Sequence, residues 1–174
     1  MNDLRHKRKA MIRLKKASRV LDQKALIGEL KAAIKQEEEY IEKCQEYGAS
    51  VNFIDAVPIS FDDNLDVSAK TVNKEIFLNG KLFDKGDWVD LMRYVLHEAI
   101  HVLQQANGMV DGKTDKEDYL DDDNEIEAFQ AQLSYMSKHE DPKEIQEYLE
   151  NLLDHHDIKG KEREEKKEKL TEEI

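Results

Sequence analysis

The chain reads as an α+β fold: a small antiparallel or mixed sheet, a central helix carrying an H-E-x-x-H pattern, a second polar-centred helix, and flanking helices at both ends. Three observations predict it. Apolar residues recur close to a 3.6 period at Trp88, Leu91, Met92, Val95, Leu96, Ala99, Val102 and Leu103. Residues 51–83 instead alternate in short runs broken by Asn, Asp and Gly. A further amphipathic stretch follows, with Ile126, Phe129, Leu133 and Met136 on one side of Glu125 and Ala128, Ala131 and Tyr135 on the other.

With 174 residues and 39% hydrophobic content, the chain can build one modest domain with appended helices. The expected divisions are a basic arm over 1–19, a domain over 20–157 and a charged tail over 158–174. Within the domain, 20–47 is a packing helix, 51–83 the small sheet and 87–137 the two central helices. Cys44 is the only cysteine, which excludes an internal disulfide framework and suits a reducing compartment. No run reaches the length of a membrane span, and the N-terminus lacks the apolar core of a secretory signal, so the expectation is a cytoplasmic protein without a membrane partner.

Residues 1–19 carry Arg5, Lys7, Arg8, Lys9, Arg13, Lys15, Lys16 and Arg19 against Asp3 alone. That +7 within a whole-chain charge of −12 leaves −19 on the remainder, a tail-and-body pattern. A nucleic-acid contact is disfavoured because no aromatic residue is interleaved for base stacking; a solvated or disordered arm is the simpler reading. Residues 17–47 then turn helical, with Val20, Leu21, Ala25, Leu26, Leu30, Ala33, Ile34, Tyr40, Ile41 and Cys44 on one face. Glu37, Glu38 and Glu39 fall on the expected solvated side, and Gly48 ends the helix.

In the alternating region, Val51–Ile54, Val57–Phe61, Thr71–Val72 and Ile76–Leu78 read as strands, and Pro58 marks its strand as an edge. Asn79-Gly80 is the strongest hairpin signal, with Asn73-Lys74 the alternative turn. For the central helix Asp84 and Asp87 offer N-cap oxygens and Gly108 a stop. Its polar stripe is Asp90, Tyr94, His97, His101 and Gln104. Two imidazoles one turn apart can bind a single Zn²⁺ at about 2.0–2.1 Å each, and Glu98 lies beside the open coordination position, suited to take a proton.

By chance alone the H-E-x-x-H pattern would arise in such a chain at roughly a few per cent, so a third ligand is needed to carry it. Glu125, central on the buried face of its helix, is that candidate, because a lone buried carboxylate is costly unless paired or metal-bound. A buried ion pair, to Arg93 for example, is the alternative. Glu127, about 200° round the helix, should face water.

His97-Glu98-x-x-His101 followed by a helix bearing Asn124-Glu125 resembles the zincin metallopeptidases, in the glutamate-ligand branch that includes thermolysin and the ImmA/IrrE-type peptidases. Glu125-x-x-Ala128 is similar to the small-residue packing of several such families. The likeness covers about residues 65–137 and rests on these short motifs. It implies a zincin-like fold, one Zn²⁺ per chain on His97, His101 and Glu125, Glu98 as general base, and a polypeptide substrate lying along an edge strand, here the Thr71 to Leu78 region. One departure stands out: the thermolysin pattern carries an Asp four residues after the ligand Glu to orient a zinc-binding His, and this chain has Phe129. Support for the His pair must then come from elsewhere, with Asp90 and the acids of 111–123 as candidates.

The developing oxyanion of peptide hydrolysis needs a donor, for which Tyr119, Tyr94 and His155 are the leading candidates, with Tyr135, His139 and His156 competing. The Asp-rich stretch 111–123 could hold calcium but departs from the EF-hand spacing, and a flexible acidic rim is the plainer reading. Asp122 or Asp123 should cap the Glu125 helix. A short helix follows from Asp141 through Leu153, and residues 161–173 read as frayed helix or disorder without a core to bury. Two other classes remain open: a zincin-fold binding or structural module without catalysis, such as a phage or bacterial accessory protein, and a helical interaction protein with a fortuitous motif.

Overall fold

The computed structural model describes residues 19–109 and 119–174. Most of the basic arm and the proposed calcium loop therefore lie outside the described residues. The fold is α+β.

Helices α1 (Arg19–Ile34) and α2 (Glu38–Glu46) replace the single helix expected over 17–47. The apolar pattern itself explains the break. Leu26, Leu30 and Ile34 repeat every four residues, but the next fully buried side chain is Tyr40, which leaves more than a turn with no apolar anchor. The chain tightens there through Gln36 N–H to Ala33 O and Glu37 N–H to Ile34 O, then restarts from an extended Glu37. The restart turns Glu39 inward, against the expectation of a solvated run: it accepts from Ser134 Oγ at 2.9 Å and pairs with Lys138 at 2.7 Å. Val20 and Leu21, expected on the buried face, are exposed.

Val51–Ala56 forms a 3₁₀ turn, not a strand, with the Ser50 hydroxyl accepting from Asn52 N–H and the Tyr40 hydroxyl donating to Val51 O. The sheet that follows comprises β1 (Ile59–Asp62), β2 (Ala69–Val72) and β3 (Glu75–Asn79) in the order β1-β3-β2. It is mixed: β1 runs parallel to β3 and β2 antiparallel to it. Pro58 enters an edge strand, as its missing N–H requires.

The hairpin turns at Asn73-Lys74, both left-handed (φ 50° and 64°), as a two-residue turn matched to strand twist demands. Asn79-Gly80 is no hairpin turn. Asn79 caps α3 (Gly80–Lys85), accepting from Lys81 N–H at 2.9 Å while its amide donates to Leu65 O and Val67 O. Gly80 lies against the Asp63 carboxylate, whose exposed side chain would have to swing aside for a Cβ at this position.

Asp87 starts α4 (Trp88–Ala106) by accepting from the N–H groups of Val89 and Asp90. Asp84 sits in α3 and pairs instead with Arg19. Fifteen of the nineteen residues of α4 are buried, because the sheet, α1, α2 and α5 (Asp123–His139) all pack on it. Asp122 caps α5 through Asn124 N–H. α5 is two-sided. Ala128, Ala131 and Tyr135 join the core around α4, while Ile126, Phe129, Leu133 and Met136 form a second core with Ile145, Leu149 and Leu153 of α6 (Pro142–His155).

The C-terminal segment expected to fray forms α7 (Gly160–Leu170) and buries Leu170 in that second core, beside Ile158. Its charges are paired: Arg163 binds Glu150 and Asp154 of α6, and Lys166 binds Asp121 and Leu120 O. Among the described residues no helix is long and apolar enough to cross a membrane.

Lys74 holds a left-handed conformation that costs a side-chain-bearing residue about 1 kcal/mol. Its N–H donation to Gln105 Oε1 survives substitution. Lys74→Gly should therefore raise unfolding stability by about 1 kcal/mol, read by urea denaturation.

Candidate metal centre

The i, i+4 spacing on α4 sends both imidazoles toward α5, and Glu125, in the first turn of α5, meets them across the helix interface. His101 Nε2 lies 3.1 Å from His97 Nε2 and 3.1 Å from Glu125 Oε1, and His97 Nε2 lies 3.4 Å from Glu125 Oε2. Donor atoms around a tetrahedral ion with bonds near 2.0 Å stand about 3.3 Å apart, close to the 3.1 Å between the two imidazole nitrogens and from His101 to Glu125 Oε1. The three residues lie close enough together to bind a metal ion. His97 and His101 are buried, and the Glu125 side chain is 13% exposed.

The tautomer of His101 strengthens the case. Gln104 turns its amide nitrogen to Asn124 O at 3.0 Å and Glu127 Oε1 at 3.2 Å, both acceptors, so its oxygen faces His101 Nδ1 at 2.7 Å. Nδ1 must then carry a proton and donate it, which leaves the Nε2 lone pair aimed at Glu125 and His97. Converging lone pairs are satisfied by a shared proton, carried by either ring, or by a metal ion. Without metal the proton takes that part: burial works against charge on His101, but the Glu125 carboxylate and, behind it, Glu98 lift its pKa to about 9. Burial likewise opposes the charge of Glu125, and the two imidazoles overcome it, holding the carboxyl well below its ordinary value.

Support for the ligands comes from neither Asp90 nor any described acid of the loop. Asp90 is taken by Lys85 and Arg93, which also removes Arg93 as an ion-pair partner for Glu125. The chain of contacts runs His101, Gln104, Glu127, and Glu127 is then held by the Tyr47 hydroxyl at 2.7 Å and Lys43 at 3.8 Å. Glu127 thus does not simply face water. His97 has no such support among the described residues: its buried Nδ1 has no hydrogen-bond partner, and its ring meets the edge of Phe129 at 4.6 Å. The aromatic residue standing where the resembled pattern has Asp packs against the histidine.

A cleft of ≈ 450 Å³ opens over the site, with His97, Glu98 and Phe129 at its base. One wall is Val67, Ser68 and Ala69, leading into edge strand β2; the other is Tyr148, Leu152, His155 and His156 of α6 and the residue that follows it. Glu98 is buried and accepts from the Thr71 hydroxyl at 2.6 Å.

Tyr94, Tyr119 and His155 all line this cleft. Tyr119 engages Glu125: burial first, then the charge and hydrogen bond of Glu125, push its phenol far above the usual range, so it stays an O–H donor. Its ring stacks on His156 at 5.0 Å. Tyr94 is engaged by Arg93, and Tyr135 and His139 pack against each other outside the cleft lining.

Sequence reasoning missed Tyr148, whose hydroxyl accepts from Gln132 and whose pKa burial raises to about 12. It also missed the contact of Thr71 with Glu98. Neither carries a local signal, since both depend on segments brought together from a distance.

Three outcomes follow. The metal-free protein has a folded His101 pKa of about 9 against an ordinary 6.5, so this group's contribution is complete below 6.5 and lost as pH rises through 9. Thermal melts with chelator should show that loss. Metal must displace this proton, so its affinity should rise about tenfold per pH unit and level off above pH 9 in competition titrations. Gln104→Leu should weaken metal binding by about 10- to 100-fold at constant pH.

No protein-family model, curated protein or solved structure matches the chain, so the functional reading rests on the geometry of this site.

Proposed function

We propose that the protein is a zinc-dependent peptidase of the zincin type, with His97, His101 and Glu125 as metal ligands and Glu98 as general base. The observation that carries this reading is the close approach of His97, His101 and Glu125, at separations of 3.1, 3.1 and 3.4 Å, beside a cleft that Glu98 lines. Two nitrogens and a carboxylate form a donor set that suits zinc in catalytic sites with one position left open. When bound, the ion would supply Lewis acidity to a scissile carbonyl and to a coordinated water.

The chain's own groups have distinct parts. Glu98 accepts the proton of the attacking water and returns it to the leaving amine. An extended polypeptide adds to the free edge of β2 by main-chain hydrogen bonds, its side chains meeting the α6 wall. Tyr119, kept protonated beside Glu125, can donate to the developing oxyanion.

Elemental analysis should find one zinc per chain, lost in Glu125→Ala and kept in Glu127→Ala. Glu98→Gln should retain zinc while hydrolysis of a quenched peptide library falls by about 10²- to 10⁴-fold. Zinc retained with no hydrolysis in the wild type would support instead a zincin-fold module whose metal is structural.

A further inference from the structure

Resting on that peptidase reading, we infer that Thr71 is the positioning residue for Glu98, fixing which carboxylate oxygen receives the proton. Thr71 lies on β2, paired in register with Ile76 of β3 and facing α4. Its hydroxyl is 2.6 Å from Glu98 Oε2 and 3.1 Å from Glu98 O. A single hydroxyl proton has one strong direction, and the shorter contact to a charged oxygen takes it. Oε2 is thereby occupied, and no other described side chain donates to this carboxylate.

A buried carboxylate is otherwise free to turn about its last torsion, which is broad and twofold. One tethered oxygen removes that freedom. The other oxygen, Oε1, is left as the proton acceptor. Because the tether comes from the edge strand on which substrate would lie, orientation of the base and docking of the peptide share one element. A strand that slips by one residue turns Thr71 away from Glu98 and releases the base.

The experiment compares wild type, Thr71→Val and Thr71→Ser, each loaded with one zinc, and adds proton NMR of the wild type and Glu98→Ala. Valine keeps the β-branched shape and removes the donor; serine keeps the donor. The expected result is a kcat about tenfold lower in Thr71→Val with KM, zinc content and melting temperature held, and recovery of most of the rate in Thr71→Ser. A slowly exchanging Thr71 hydroxyl proton should be visible in the wild type and lost in Glu98→Ala. An unchanged kcat in Thr71→Val, a change confined to KM, or failure of serine to recover the rate overturns the assignment, as does absence of the hydroxyl signal. A wild type that binds zinc and cleaves nothing defeats the peptidase reading itself, which is a separate outcome from an active wild type indifferent to Thr71.

Discussion

The structure depends on how two buried imidazoles and one largely covered carboxylate are satisfied where α4 meets α5. His101 Nε2 has acceptors on two sides at 3.1 Å, and Gln104 prevents its ring from answering them with the Nδ1 proton. A proton or a metal ion among the three groups relieves that convergence, and a neutral His97 carrying its proton on Nε2 is one source of it. Removing one partner from such a buried set costs on the order of 3–5 kcal/mol, because the remaining charge loses its compensation. The same interface brings the three groups close enough together to bind a metal ion.

The rest of the fold can be understood as holding that interface still. α4 is buried on nearly every side, so its ligands cannot swing toward solvent. Ala128 and Ala131 let α5 come close to α4, and the opposite face of α5 is pinned by Phe129, Leu133 and Met136 against α6. α6 supplies a cleft wall, and α7 ties it down through Arg163 and Lys167 to Glu150. Lys166 reaches the turn that carries Tyr119. Charge on the C-terminal segment, which looks merely solubilising in one dimension, braces the α6 wall and the Tyr119 turn in three.

The site is also asymmetric in its support. His101 is backed by a chain of polar groups reaching Tyr47 and Lys43, whereas His97 is backed by the ring of Phe129. A proton fixed on Nδ1 orients His101, and shape alone orients His97. The polar chain also recruits Glu127, whose neighbours Gln104 and Tyr47 come from α4 and the end of α2. Helical phase on α5 alone gives no hint of those partners.

Local chemistry in the sequence by itself determined the α+β class, the central helix, the two-sided α5 and the grouping of His97 and His101, and narrowed the caps to Asp84 or Asp87 and Asp122 or Asp123. These follow from periodicity and capping, which act over a few residues. It also singled out Glu125, because a carboxylate on an apolar face announces an unmet need. Tertiary structure alone decided what competing signals could not: the break at Lys35–Glu37, the choice of Asn73-Lys74 over Asn79-Gly80 as the turn, and the ordering of α7. It alone brought Thr71 to Glu98, Gln104 to Glu127, and Tyr119 to Glu125. Each of those depends on contacts between residues far apart in the chain, and local propensity carries no information about which distant partner will be there when the chain closes.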